Sequence, residues 1–131
     1  MSIRAQYHLR PSAQGLLAWD VRQLIALTQA QKLQPKLVLL SEIAELDQCY
    51  WFSEPSDKPT PRAIAEHIKL VQAADTAYPI LLDAEGRLMD GMHRAIKRLV
   101  QGHVDILALQ FVSTPEPHFV GVPADDLPYD D

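Results

Sequence analysis

The string Asp90-Gly91-Met92-His93-Arg94 combines residue types that together favour the binding of an anion. An apolar segment precedes this string, and a helical pattern of apolar residues begins at Met92. The first backbone N–H groups of a helix lack partners and carry a partial positive charge. Because Gly91 has no Cβ, an anion can approach the backbone closely at that position. His93 and Arg94 fall in the first helical turn, so the spacing predicts a phosphate site.

A purely structural interpretation explains the same string. The carboxylate of Asp90 would cap the helix and use the amides that a phosphate would otherwise bind. Gly91 would then serve a turn, and the polar face of the helix would be solvated. That polar face consists of His93, Arg94, Lys97, Arg98 and Gln101. The spacing of the residues leaves both interpretations open.

The apolar pattern around this string predicts a single α/β domain. Strands are predicted at residues 36–40, 78–83, 87–90 and 104–112, and helices at residues 16–32, 61–74 and 92–101. A compact hairpin loop is predicted at residues 84–86. It makes the strands at residues 78–83 and 87–90 antiparallel neighbours. Residues 1–15 show no regular pattern and are predicted to be irregular.

Two of the predicted helices have clear signals at their ends. Thr60 followed by Pro61 is typical of a helix start, since threonine caps the helix and proline fits the first helical position. We expect Ile64, Ile68 and Val71 to form the buried stripe of this helix. The helix at residues 92–101 is predicted to pack Ile96 and Leu99 onto the sheet.

The segment from Leu37 to Phe111 resembles the ParB/sulfiredoxin superfamily. The resemblance lies in the order of five motifs: LVLLSEI, PRAIAEHI, YPILLDAEGRLMDG, GMHRAIKRLVQG and VDILALQF. It implies an α/β (α+β) domain in which helices flank a small mixed sheet. In that superfamily the Gly-x-His-Arg turn grips the phosphates of CTP or of ATP and ADP. The resemblance therefore suggests Gly91, His93 and Arg94, with the adjacent Asp90, as phosphate-binding residues, and Pro61-Arg62 resembles the family's second box.

The resemblance implies two classes of function. The first is a phosphotransferase or NTPase that uses Mg²⁺ with the nucleotide and an acidic catalytic residue; Glu42 is the candidate, with Glu45 and Asp47 as the nearest alternatives. The second is a non-catalytic binding module that is gated by a nucleotide or associated with DNA. Nuclease activity ranks third, because no cluster of metal-binding acids is recognisable.

Two departures from the superfamily pattern narrow these expectations. Met92 stands where sulfiredoxins carry their catalytic cysteine, so that chemistry is not expected here. ParB clamps have an arginine at the position of His93, and their domain is followed by a helix-turn-helix region. Chromosome partitioning is therefore not expected.

The boundaries of the resemblance divide the chain into three segments. Residues 1–36 are an N-terminal extension with one amphipathic helix, residues 37–112 are the ParB/sulfiredoxin-like domain, and residues 113–131 are a proline-containing acidic tail. The helix of the extension is expected to pack on the domain or on a second copy in a homodimer. We expect the tail to be solvated, so that deleting residues 121–131 would leave the fold intact.

The charge distribution argues against tight general binding to nucleic acid. The net charge is −5, and four of the 17 acids lie in the last seven residues, which leaves 13 acids against 12 Lys and Arg. Such a nearly neutral body is weak support for a DNA partner. The chain has no apolar run long enough for a membrane span and no apolar core of a signal peptide near its start, so no membrane partner and a cytoplasmic location are expected.

Metal binding and base stacking are the remaining possibilities that the sequence raises. The five histidines are scattered, so no protein-bound transition metal is expected. Asp83 and Asp90 flank the predicted hairpin and are candidates to hold Mg²⁺ through water beside a nucleotide, although turn former and helix cap explain them equally well. The run Tyr50-Trp51-Phe52 is expected in the core, and a lid that stacks on a base is the alternative.

Overall fold

The computed structural model describes residues 6–52 and 57–129. Within these residues the chain forms three α-helices and two small sheets, which confirms the predicted mixed α/β class. Contacts between Cα atoms divide the chain into two compact units. Unit 1 combines the described residues up to Leu33 with those from Ser113 onward, and unit 2 is Gln34–Val112. Of the helices in the described ranges, none is long and apolar enough to cross a bilayer.

The elements follow one another along the chain as strands, helices and short 3-10 turns. They are β1 (Tyr7–Arg10), β2 (Leu17–Asp20), α1 (Val21–Ala30), β3 (Lys36–Leu39), 3-10 turns at Leu40–Glu42 and Ala44–Asp47, α2 (Pro61–Ala73), β4 (Ile80–Leu82), β5 (Leu88–Asp90), α3 (Met92–Val100), β6 (Asp105–Gln110), β7 (Phe119–Val120) and a 3-10 turn at Ala124–Asp126.

Unit 2 contains a four-stranded mixed sheet in the order β3-β6-β4-β5. The strands β3 and β6 are antiparallel, β4 and β6 are parallel, and β4 and β5 are antiparallel. The predicted hairpin is confirmed, since Leu81 lies opposite Asp90. Its loop is fixed by the buried Asp83, whose Oδ1 accepts the backbone N–H groups of Glu85 at 3.0 Å and Arg87 at 2.8 Å. Asp83 is therefore a turn former, one of its two predicted roles.

The core of unit 2 lies between one face of the sheet and the elements packed on it. Its buried residues are Leu40, Ile43, Ile80, Leu82, Leu88, Met92, Ala95, Ile106 and Ala108. Ile96 packs against this cluster as predicted. The prediction for Leu99 is wrong, because this side chain is 51% exposed. It lines an open groove of about 470 Å³ together with Leu39 and Val104, so the last turn of α3 is not covered.

The prediction that α2 carries a buried apolar stripe is also wrong. The helix begins as predicted, with the Thr60 hydroxyl accepting the N–H of Ala63 and proline at its first position. However, none of its residues is buried, and Ile64 and Ile68 are 44% and 50% exposed. The helix packs along α3, and a contact between two helices covers a narrower face than a contact with a sheet does.

Unit 1 is built on a three-stranded antiparallel sheet in the order β1-β2-β7, with α1 following β2 directly. Two predictions fail here: residues 7–10 are a strand rather than irregular, and residues 17–20 are a strand rather than the start of a helix. The helix begins at Val21 because the Asp20 carboxylate caps it by accepting the N–H of Arg22. Trp19 is held from far along the chain, since its Nε1 donates to the Pro115 carbonyl at 2.8 Å.

The segment after residue 112 differs from the expected solvated tail. Phe119 of β7 pairs with Ala18 of β2, and the N–H of Gly121 donates to the Leu16 carbonyl at 2.8 Å. Leu127 is 4% exposed, and the Tyr7 hydroxyl donates to the Pro128 carbonyl. The acidic segment therefore completes unit 1 up to residue 129. The two last aspartates, residues 130 and 131, lie outside the described residues.

Candidate functional site

The helices α2 and α3 of unit 2 run side by side in the same direction. His67, midway along α2, contacts His93 in the first turn of α3. One turn later, Lys97 Nζ donates to the carbonyls of Gln72 at 3.0 Å and Ala74 at 2.7 Å, which lie at the C-terminal end of α2. The N-terminal ends of both helices therefore point the same way, and the start of α2 lies five residues, roughly 7 Å, beyond the start of α3.

The first turn of α3 has no side-chain cap. Gly91 is the N-cap residue, and no side chain accepts a hydrogen bond from the opening amides of the helix. The carboxylate of Asp90, the cap in the structural interpretation, pairs with the Arg94 guanidinium instead. The amides of Met92, His93 and Arg94, which have no partner within the helix, are therefore not occupied by a capping carboxylate.

Gly91 itself is required by the fold. Its φ of 109° lies in the left-handed region, where a Cβ is unfavourable. A Cβ placed on Gly91 would also lie 2.6 Å from Ile80 Cγ2 and 3.0 Å from an Arg94 nitrogen. The close neighbour that excludes a side chain is thus Ile80 of β4, and the glycine by itself does not indicate a ligand.

Arg94 forms an ion pair with Asp90 across one helical turn. The guanidinium nitrogen lies 2.7 Å from the carboxylate oxygen, and the two side chains are 18% and 22% exposed. A second, longer hydrogen bond joins Arg94 to the Tyr78 carbonyl at 3.4 Å. Burial raises the pKa of Asp90 above its ordinary value, although the positive charge of Arg94 acts in the opposite direction. An anion at this end of α3 would therefore share Arg94 with Asp90.

His93 belongs to an aromatic cluster that the spacing of the histidines did not indicate. Its Nε2 lies 3.0 Å from Nδ1 of His67. The ring of Trp51 stacks on His67 at 3.7 Å and on His93 at 4.7 Å between centroids. Burial lowers the pKa of both imidazoles, and for His93 the charge of His67 lowers it further. Both rings are consequently mainly neutral at pH 7.

The run at residues 50–52 packs in part against the core, as predicted, and its role as a lid that stacks on a base stays a prediction. Tyr50 and Trp51 are partly buried and pack against the core cluster of unit 2. Trp51 also covers the histidine pair, and Phe52 meets the His67 ring edge-on at 5.9 Å. These aromatics therefore join the middle of α2 and the first turn of α3 to the core.

Arg62 occupies the first turn of α2, at the same end of unit 2 as His93. It is exposed, and among the described residues it forms no hydrogen bond or ion pair. The remaining cations of α3 are engaged: Arg98 pairs with Asp105 at 3.0 Å, and Lys97 holds the end of α2. Arg62 is thus an exposed cation near the start of α2 that can bind a ligand without losing a contact to a described residue.

The candidate acids are placed away from this cluster. Glu42 is exposed, and no described residue forms a hydrogen bond or ion pair with it. Its neighbour Ser41 lines the groove with Leu99, near the C-terminal end of α3. Glu45 is buried, and its Oε1 accepts the N–H of Leu88 at 3.1 Å, which is a structural contact. The catalytic role of Glu42 stays a prediction.

Asp83 and Asp90 are the two carboxylates predicted as candidates to hold Mg²⁺. Within residues 6–52 and 57–129, no group of three or more His, Cys, Asp or Glu side chains is arranged to hold a metal ion. The Asp83 carboxylate is engaged in the hairpin loop, and that of Asp90 pairs with Arg94. Of the two, Asp90 lies directly beside the N-terminal end of α3.

Compared with models of protein families, with curated proteins and with solved structures, the chain shows no significant match. The resemblance to the ParB/sulfiredoxin superfamily therefore stays a prediction.

Proposed function

We propose that unit 2 binds the phosphate groups of a nucleotide at the N-terminal ends of α2 and α3. The observation that carries this proposal is the shared direction of the two helices, whose N-terminal ends point the same way. The first-turn amides of α3 have no side-chain cap there. Amides at a helix N-terminus bind phosphate because they donate hydrogen bonds and add a favourable dipole.

Three side chains would complete the phosphate site. Arg62 is exposed at this end and is not engaged with another described residue, so its guanidinium can bind a phosphate in bidentate fashion. Arg94 would contact the phosphate while it stays close to Asp90. His93 would act as a neutral hydrogen-bond donor, since its pKa is lowered. These positions agree with the Pro-Arg and Gly-x-His-Arg motifs of the resemblance.

Mg²⁺ would enter this site with the nucleotide. Mg²⁺ commonly keeps several waters and binds through phosphates and one or two carboxylates. Asp90 is the nearest carboxylate and would contact the ion through water, whereas Asp83 is committed to the hairpin loop. The phosphates would therefore supply most of the ligands.

Of the two functional classes, a nucleotide-gated binding module is supported better than a phosphotransferase. A phosphotransferase needs an acid close to the phosphates to activate its acceptor. Glu42 follows Ser41, which lines the groove at the other end of α3. Among the described residues, Glu42 forms no hydrogen bond or ion pair that would fix its carboxylate beside the first turn of α3. A DNA partner and a homodimer stay predictions.

Titration calorimetry with ATP, ADP and CTP, each with Mg²⁺, tests the phosphate site. Arg62→Ala and Arg94→Ala should each remove a charge-assisted contact worth roughly 1.5–3 kcal/mol, which is about a 10- to 150-fold loss of affinity. Lys69→Ala is the matched control, because Lys69 is an exposed cation further along α2. If the wild-type protein shows no saturable binding at millimolar nucleotide, or if both arginine variants bind as it does, the proposal is wrong.

A measurement of phosphate release from the nucleotide distinguishes a binding module from an enzyme. The wild-type protein should bind nucleotide without releasing phosphate over many hours. Steady release of phosphate that is lost in Glu42→Gln would instead establish the phosphotransferase or NTPase class. Glu42→Gln changes no described contact, so a loss of activity would not come from misfolding.

A further inference from the structure

The two imidazoles of the cluster converge on one point. The separation of 3.0 Å between His67 Nδ1 and His93 Nε2 fits a hydrogen bond, and it also fits two ligands of one metal ion. Two nitrogens that each bind an ion at about 2.05 Å lie about 2.9 Å apart at a right angle and about 3.4 Å apart at the tetrahedral angle. The ring centroids lie 5.2 Å apart with an angle of 25° between the planes, so the two rings meet nearly end to end. An ion can replace the shared proton when both rings turn toward one side.

The proton balance of this exchange is simple. Each neutral imidazole carries one proton and one lone pair. In the hydrogen-bonded pair one of the two facing nitrogens holds its proton. When an ion binds, that proton moves through solvent to the outer nitrogen of the same ring, and both facing nitrogens then offer lone pairs. No oxidant or other reactant is needed.

Trp51 holds the two rings in this arrangement. It stacks on His67 with an interplanar angle of 14° and on His93 with an angle of 21°, and it packs on the core of unit 2. The two histidines are themselves half-buried, on helices that lie side by side. Preorganised ligands lose little conformational freedom when an ion binds, and the exposed side leaves room for water as further ligands.

We propose that His67 and His93 form a binding site for a single late first-row divalent cation, Cu²⁺, Ni²⁺ or Zn²⁺. Imidazole suits these ions, and among them Cu²⁺ should bind most tightly. Mg²⁺ should not compete, since it prefers oxygen ligands. This inference does not depend on nucleotide binding, and it contradicts the expectation from sequence that the chain binds no transition metal.

Fluorescence quenching of Trp51 by Cu²⁺ tests this site directly. The experiment uses the Trp19→Phe variant of the full chain, after removal of metal with a chelator, so that Trp51 is the remaining tryptophan. We expect saturable quenching with one ion per chain, reversal by EDTA and no response to Mg²⁺. Weak quenching that rises linearly with Cu²⁺ would overturn the proposal, because collisional contact needs no site.

Calorimetric titration with NiCl₂ assigns the ligands. His93→Ala and His67→Phe should each lower the affinity by more than about tenfold, since one imidazole alone remains. Phenylalanine keeps a ring under Trp51 and so preserves the stacking. His103→Ala is the control, because His103 is exposed and lies outside the cluster. Unchanged binding in His67→Phe, with circular dichroism like that of the wild type, would show that the ion binds elsewhere.

Discussion

His67 Nδ1 and His93 Nε2 lie 3.0 Å apart, although 26 positions of the chain separate the two residues. Each comes from a different helix, and Trp51 covers both rings. The contact couples the start of α3 to the middle of α2. It also makes the histidines sensitive to protonation, because two imidazolium ions cannot share this hydrogen bond.

The stability of the metal-free protein should fall as the pH drops from about 7.5 to about 5. Burial holds the pKa values of His67 and His93 below the ordinary value of 6.5, so in this range the unfolded chain binds more protons than the folded chain. Urea unfolding in the presence of EDTA measures the effect. His67→Gln should weaken the pH dependence, whereas His103→Gln should retain it. The raised pKa of Asp90 has the opposite effect on the pH dependence of stability. This effect is common to the wild type and both variants, so it cancels when they are compared.

Gly91→Ala should destabilise the protein more than Gly102→Ala. Both glycines have positive φ, at 109° and 84°, so both variants incur a backbone penalty of roughly 1–2 kcal/mol. An added Cβ meets Ile80 at position 91 but open space at position 102. The difference between the two free energies of unfolding therefore measures the clash. Ile80→Ala removes the Cγ2 atom that the added Cβ would meet, so in a double-mutant cycle it should cost less in the Gly91→Ala background than in the wild type. Equal losses at the two glycines would contradict the packing.

The ion pair of Asp90 and Arg94 should appear as a coupling in a double-mutant cycle. Arg94→Ala should cost about 1.5–3 kcal/mol, because it leaves a largely buried carboxylate unpaired. In the Asp90→Asn background the same change should cost less. Urea unfolding of the four proteins gives the coupling free energy. Additivity within about 0.3 kcal/mol would mean that the pair does not stabilise the fold.

Glu45 and Glu42 should differ sharply when each is changed to alanine. Glu45 is buried and accepts the N–H of Leu88, so Glu45→Ala leaves that group unpaired at a cost of roughly 1–3 kcal/mol. Glu42 is exposed, and Glu42→Ala should change the free energy of unfolding by less than about 0.5 kcal/mol. If the Glu45→Ala variant were as stable as the wild type, another group must accept the hydrogen bond from the Leu88 N–H.

Deleting residues 121–131 should lower the thermal stability of unit 1, contrary to the expectation from sequence. The deletion removes Leu127, which is 4% exposed, and the carbonyl of Pro128 that the Tyr7 hydroxyl contacts. Leu127→Ala alone should cost roughly 2–5 kcal/mol. Deleting only residues 130 and 131 is the control and should have little effect. Thermal unfolding followed by circular dichroism compares these proteins, and equal midpoints would restore the picture of a solvated tail.

The sequence by itself determined the elements whose signals are local. Thr60 and Pro61 marked the start of α2, because a cap and a fixed φ act within one turn. The hairpin of β4 and β5 and the helix after Gly91 were predictable for the same reason, since turn chemistry and apolar period are set by neighbouring residues. The string at residues 90–94 predicts a phosphate site, and that site stays a prediction.

Only the tertiary structure decided which partners these elements meet. Nothing near Leu17 shows that it will pair with Val120, and the apolar spacing from residue 17 onward by itself favours a helix. The stripe of Ile64 and Ile68 follows the helical period, but burial depends on what packs against it, and both side chains stay about half exposed. His67 and His93 meet because two helices run in the same direction, and contacts between distant residues leave no trace in local spacing.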